Sequence, residues 1–177
     1  MHLKYLGEGS FIDQHAVIRR PHLVSIGKHT NIDYGAYITT MAEIGDYCHI
    51  AAYVTCIGGD HGKLVMGNFT TIACGSRLVC AGDEHLGEGL VGPTVPHEYK
   101  DKQIISPIIL EDFSSIGTNC VILQGVKLGQ GSVVGACSLV TKNTEPWTVY
   151  VGTPAKPLKL RRREKILQFA KELGYDY

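Results

Sequence analysis

Leu110 to Val140 reads LEDFSSIGTNCVILQGVKLGQGSVVGACSLV, and in it a large aliphatic residue returns every six positions, at Leu110, Ile116, Ile122, Leu128, Val134 and Val140. Four positions after each stands a smaller residue: Ser114, Cys120, Val126, Ser132, Ser138 and Thr144. A helix would scatter this pattern around its circumference, and one plain strand could not run so far. A period of six fits short strands joined by tight turns, with Gly117, Gly125, Gly129 and Gly135 available for the turns. Three such strands close one triangular coil of a parallel β-helix, whose coils bury their apolar edges only against each other. Alternate residues share a face, so the large residue and the small one two positions before the next both point inward.

Outward from this stretch the same phase covers most of the chain. Towards the N-terminus it takes in Leu6, Ile12 and Ile18, with Ser10, Ala16 and His22 on the small position, then slips at Arg20–Pro21, where proline suits a corner bulge. It resumes through Ile26, Ile32, Ile38, Ile44 and Ile50, with Thr30, Ala36, Ala42, Cys48 and Val54 as small partners. A short loop at 57–65 interrupts it before Met66, Ile72 and Leu78. The longer break at 82–103 is rich in Gly, Pro and charge, and a loop of that length framed by regular scaffold is expected to be functional. The repeat is expected to re-enter at Ile104. Beyond it, TKNTEPWTVYVGTPAKPLKL carries prolines that preclude a helix and reads as an extended segment. RRREKILQFAKELG reads as an amphipathic helix with Ile166, Phe169, Ala170 and Leu173 on one face and a stop at Gly174. The expected organisation is one all-β domain of about seven coils over 1–145, with 146–177 packed on it.

Composition narrows the function. Seventeen basic residues balance seventeen acidic ones with no basic patch outside the tail, which disfavours nucleic acid as a partner. The first residues, MHLKYLGEGSFID, lack the apolar core of a signal peptide, and no run approaches the ~20 apolar residues that span a bilayer, so a cytoplasmic location away from membranes is expected. The six cysteines form no C-x-x-C pair, and Cys48 and Cys120 fall on the small inward position, where reduced thiols serve as small hydrophobes.

Two segments, IGTNCVILQGVKLGQGSVVGACSLVTK and Gly152-Thr153-Pro154-Ala155-Lys156, resemble the hexapeptide-repeat acyltransferases of the galactoside and xenobiotic type, with Thr153 where those have Asn. The resemblance implies a left-handed parallel β-helix, an exception to the usual crossover rule, assembled as a homotrimer. It also implies acetyl-coenzyme A as co-substrate, lying along the coils between two subunits, with no metal. Carried over by motif, the coenzyme contacts are Thr118, Ala136, Thr141, Lys142, Gly152, Pro154 and Lys156. Arg161 and its neighbours Arg162 and Arg163 suit the coenzyme phosphates, or else begin a solvated basic helix. Trp147 suits an adenine ring or packing against the last coil. The acceptor implied is a hydroxyl or amine of a sugar, including one carried on a nucleotide for surface polysaccharide.

An acceptor that loses its proton while attacking a thioester is served by histidine at neutral pH. Of the eight histidines, His15, His22, His29 and His49 lie within regular repeats and His2 is terminal, leaving His61, His85 and His97 in the two breaks. At the mouth of the long loop, His85 resembles in position the catalytic histidine of the xenobiotic branch, with Asp83 and Glu84 beside it as candidates to orient the ring. His61, next to Asp60, is the alternative, and His97 or an amine attacking without a side-chain base is the third. Two other classes use this scaffold: a zinc carbonic anhydrase of the β-helix type, disfavoured because no two histidines are five residues apart, and a non-catalytic scaffold, which has no need of the long polar loop.

Overall fold

The computed structural model describes residues 2–177 and builds six complete three-stranded coils followed by a C-terminal hairpin and helix. Coil 1 has strands Tyr5–Leu6, Phe11–Ile12 and Val17–Ile18, and coil 6 has Lys127–Leu128, Val133–Val134 and Leu139–Val140. Equivalent strands stack in parallel into three faces, here A, B and C in the order the chain meets them. Where seven coils are expected, the seventh is only one strand, Thr148–Gly152, added to face B; Ala155–Leu160 folds back on it antiparallel.

In-register pairing makes each inward residue sit on its counterpart one coil away. Ile32 pairs with Ile50, Ile72 with Ile116 and Ile116 with Val134 on face B, and Cys56, Leu78, Ile122 and Val140 follow each other on face C. These residues form one continuous core and are almost wholly buried. The small inward positions carry polar atoms that the stack itself satisfies: Thr30 Oγ1 donates to Gly45 O (2.9 Å) and accepts from Cys48 N (2.9 Å), and Thr144 Oγ1 donates to Ser132 Oγ (2.9 Å). All six cysteines are free thiols.

The corner between faces A and B carries a column of residues with positive φ: Gly9, His29, Tyr47, Phe69, Phe113, Gly131 and Trp147. Left-handed backbone costs a non-glycine residue about 1 to 2 kcal/mol, and stacking between rungs offsets part of it, at about 0.5–1.5 kcal/mol a pair. Tyr47, Phe69 and Phe113 lie nearly parallel with successive centroids 5.2 Å apart. Gly131 is required because Trp147 fills the place its side chain would take: a Cβ there would lie 2.3 Å from the indole.

The helix Glu164–Glu172 closes over this column. It buries Ala170 and half-buries Ile166 and Leu167, whereas Phe169 and Leu173, expected on the packed face, are 56% and 53% exposed. The small Ala170 lets the helix approach Phe113 and Trp147 closely, which turns its larger neighbours to the flanks. Gly174, with φ 89°, ends it as expected.

The corner between faces C and A is where the chain leaves the coil. It holds the 3-10 turn Pro21–Leu23, the loop after Thr55–Ile57, and an arm whose base pairs Ala81–Asp83 with Gln103–Ile105 antiparallel. Three expectations near these points are corrected. His22 lies in the exposed turn, not inward, because Pro21 lifts the chain out of phase. Ile104 belongs to the arm and is 37% exposed; the coil resumes at Ile108, fully buried. Leu6 is 48% exposed because coil 1 has no coil beneath it.

Candidate active site

The arm is tied at its base. Asp83 Oδ2 accepts from Gly92 N (2.9 Å) and Oδ1 from Gln103 Nε2 (3.2 Å), so the carboxylate bridges three points of the loop. The Gly92 amide, then Gln103, holds its pKa below the usual carboxylate value. Further along, Leu90 N donates to Tyr99 O and Asp101 N to Leu90 O, and Gly89 packs so closely on the Lys100–Asp101 peptide that a Cβ would lie 2.5 Å from Asp101 N. Asp101 is buried; Oδ1 accepts from Lys102 N (2.8 Å) while Oδ2 has no partner among the described residues.

His85 stands exposed on this arm in left-handed conformation, with φ 58°. The neighbours expected to orient it are engaged elsewhere: Asp83 in the clamp, and Glu84 3.8 Å from Lys102 Nζ. His61 is exposed in the shorter loop, 3.8 Å from Asp60, and His97 is exposed in the short turn His97–Tyr99. The imidazoles that do hold carboxylates within hydrogen-bond distance lie in the regular repeats: His49 with Asp33 at 2.8 Å and His15 with Asp13 at 3.1 Å. Counting hides only the second kind of pair: Asp13 is two residues before His15, whereas Asp33 meets His49 from one coil away, 16 positions distant.

The motif residues fall on all three corners. At the corner between faces B and C, Thr118 and Ala136 stack as consecutive exposed rungs, with Cys137 N bonded to Thr118 O (2.8 Å). Gly152 continues the column, donating to Ser138 Oγ (3.0 Å), and Thr153 Oγ1 reaches Cys137 O (3.3 Å). Gly117 is required here, because its Cβ would lie 2.7 Å from Ala136 N. Pro154 and Lys156 are exposed in the adjoining hairpin. Thr141 and Lys142 are exposed where coil 6 leaves face C, across that face from Ala136. Arg161 is elsewhere again: its Nη1 donates to Phe113 O (2.7 Å) and Gly131 O (2.9 Å), the guanidinium lies 5.9 Å from the Trp147 ring, and burial lowers its pKa. It braces the aromatic column, and Trp147 packs there too.

Among the described residues no group of three His, Cys, Asp or Glu converges as metal ligands, and no helix is long and apolar enough to cross a membrane. His15, His22 and His29 occupy three different corners of the solenoid.

The comparisons match this architecture. A family profile described as the hexapeptide repeat of succinyl-transferase matches residues 107–142. The dTDP-4-amino-4,6-dideoxy-D-glucose acyltransferase of Escherichia coli is 30% identical over 95% of this chain and 87% of its own. A chloramphenicol acetyltransferase of Klebsiella aerogenes is 27% identical over 84% of this chain and 76% of its own. Among solved structures, a serine-to-alanine variant of AntD, an N-acyltransferase from Bacillus cereus bound to dTDP-4-amino-4,6-dideoxyglucose and coenzyme A, superposes with a TM-score of 0.91 at 34% identity. That match covers 97% of this chain and 90% of the other.

Proposed function

This chain belongs to the hexapeptide-repeat acyltransferases, and from that premise we propose that it moves an acyl group from coenzyme A to the amino group of a nucleotide-linked amino sugar. The observation that carries the reading is the full-length superposition on AntD in complex with both coenzyme A and an amino sugar linked to dTDP. The exposed column of Thr118, Ala136 and Gly152 supports it: a thin amide-bearing pantetheine needs exposed backbone donors and acceptors beside small side chains. Thr141, Lys142, Pro154 and Lys156 complete the coenzyme groove in this reading, drawn from neighbouring corners by a second subunit of a homotrimer. Arg161 braces the fold and leaves the phosphates to others.

In the reaction the sugar nitrogen attacks the thioester carbonyl, the C–N bond forms, the C–S bond breaks, and the nitrogen's proton ends on the departing thiolate. His85 relays that proton; its exposure on the arm leaves it free to meet the acceptor across a subunit boundary. The enzyme works in the cytoplasm and supplies an acylated sugar for surface polysaccharide.

Incubation with acetyl-coenzyme A and dTDP-4-amino-4,6-dideoxyglucose should release coenzyme A thiol and raise the sugar nucleotide's mass by one acetyl group. Thiol release unaffected by any amino sugar nucleotide would overturn the reading. Light scattering should give about three times the 19.3 kDa chain mass; a monomer would remove the shared site.

A further inference from the structure

The corner between faces B and C changes character along its length. Coils 5 and 6 present the small residues described above, whereas coils 1 to 3 present His15, Tyr34 and Tyr53, with ring centroids 4.8 Å apart for His15–Tyr34 and 5.6 Å for Tyr34–Tyr53. These rings cover no helix. Tyr34 and Tyr53 are 47% and 57% exposed, although the equivalent column at the other corner is roofed by the C-terminal helix. Tyr53 also sits at a strained position, φ 59°, lying over Gly35, whose Cβ would come 2.8 Å from the ring. A solvent-facing aromatic that tolerates left-handed backbone without burying its ring gains little for folding.

One coil further on, Arg77 folds back over the corner. Every side-chain hydrogen bond it makes among the described residues runs through Nη1, to the carbonyls of Tyr53, Gly75 and Ser76, so the guanidinium is held in place with Nε and Nη2 unengaged.

Resting on the reading above, we propose that this end of the corner holds the nucleotide of the acceptor: the face of Tyr53 stacks the base, Tyr34, at 76° to that ring, borders it edge-on, and Arg77 takes the diphosphate. Aromatic faces bind any base by stacking, and a fixed guanidinium suits phosphate oxygens. Coils rise by ~4.8 Å, so from Tyr53 on coil 3 to Thr118 on coil 5 is about 10 Å. That is close to the length of a diphosphate and sugar in extended form, which brings the amine to the coenzyme column.

Calorimetric titration of dTDP, dTMP and coenzyme A into wild type, Tyr53→Asn, Tyr53→Phe and Arg77→Gln tests this. Asparagine tolerates the left-handed backbone while removing the ring. Tyr53→Asn should weaken dTDP by roughly 5- to 100-fold, Tyr53→Phe should restore it to within about threefold, and Arg77→Gln should narrow the preference for dTDP over dTMP. Coenzyme A affinity should stay unchanged throughout. Undiminished dTDP binding in Tyr53→Asn overturns the proposal, as does loss of coenzyme A alone or of both ligands together, which would mark an adenine site or a structural role. Wild type that binds none of dTDP, UDP and GDP sinks the acceptor reading as well.

Discussion

Tyr175 is a residue whose chemistry is set by one contact. Its hydroxyl donates to Asp46 Oδ2 at 2.6 Å, and that bond pushes the phenol up to about 12. Burial alone would raise Asp46 too, but the Tyr175 hydroxyl and the Lys28 amide outweigh it and hold the carboxylate low. A phenol whose folded pKa is raised binds its proton in the folded state where the unfolded chain has lost it. The stabilisation is therefore present below the ordinary tyrosine value and lost as pH rises from about 10 towards 12. Thermal melts across that range should show wild type losing stability more steeply than Tyr175→Phe, which lacks the bond at every pH. At His85 the backbone is left-handed, so the informative variant is His85→Asn, which removes the base without straining the chain. We expect kcat to fall by about 10²- to 10⁴-fold with coenzyme affinity unchanged, and His61→Asn to change kcat by less than about tenfold. The reverse result moves the base to the shorter loop, and two small effects mean that the amine attacks unaided by positioning alone.

The arm is an element with its own hydrogen bonds and little core, and Asp83 is its lock. A carboxylate with a lowered folded pKa anchors above the ordinary value of about 4 and releases as pH falls through the folded one. Amide hydrogen exchange should therefore show the arm opening in acid before the coils do, and Asp83→Asn should open it at neutral pH; equal protection in both proteins would deny the clamp its role. The arm was visible in the sequence only as a gap in the hexad pattern. Its clamp was not, because Asp83, Gly92 and Gln103 meet through a loop path that no periodicity encodes. The coils were legible because each inward residue is constrained by two neighbours of its own kind, so Ile116 or Ile122 can be placed by counting. Counting misplaces Leu6 and Ile104 because a strand at the open end of the solenoid, or an aliphatic residue in a loop, keeps the spacing without the burial. The aromatic column was hidden for another reason. Tyr47, Phe69 and Phe113 are separated by unequal insertions, and only stacking reveals that they are equivalent rungs.

For the whole molecule, stability resides in a single core shared by every coil. Ile122→Asp, at a fully buried site in the middle of the regular run, should abolish folding as judged by circular dichroism, since an unpaired buried carboxylate costs several kcal/mol against a total of about 5 to 15. Lys127→Gln, on the outer surface, loses only its exposed ion pair with Glu111 and should melt within a few degrees of wild type. Similar melting of the two would mean that the inward phase is misplaced. The chain's departures at the corner between faces C and A carry a different consequence. Because the turn, the short loop and the arm all leave and return at the same edge, residues can be added there without shifting any inward position on either side. That edge is a socket: an arm from a relative with another acceptor could be grafted between Cys80 and Ile108, changing what is acylated while the scaffold goes on folding as before.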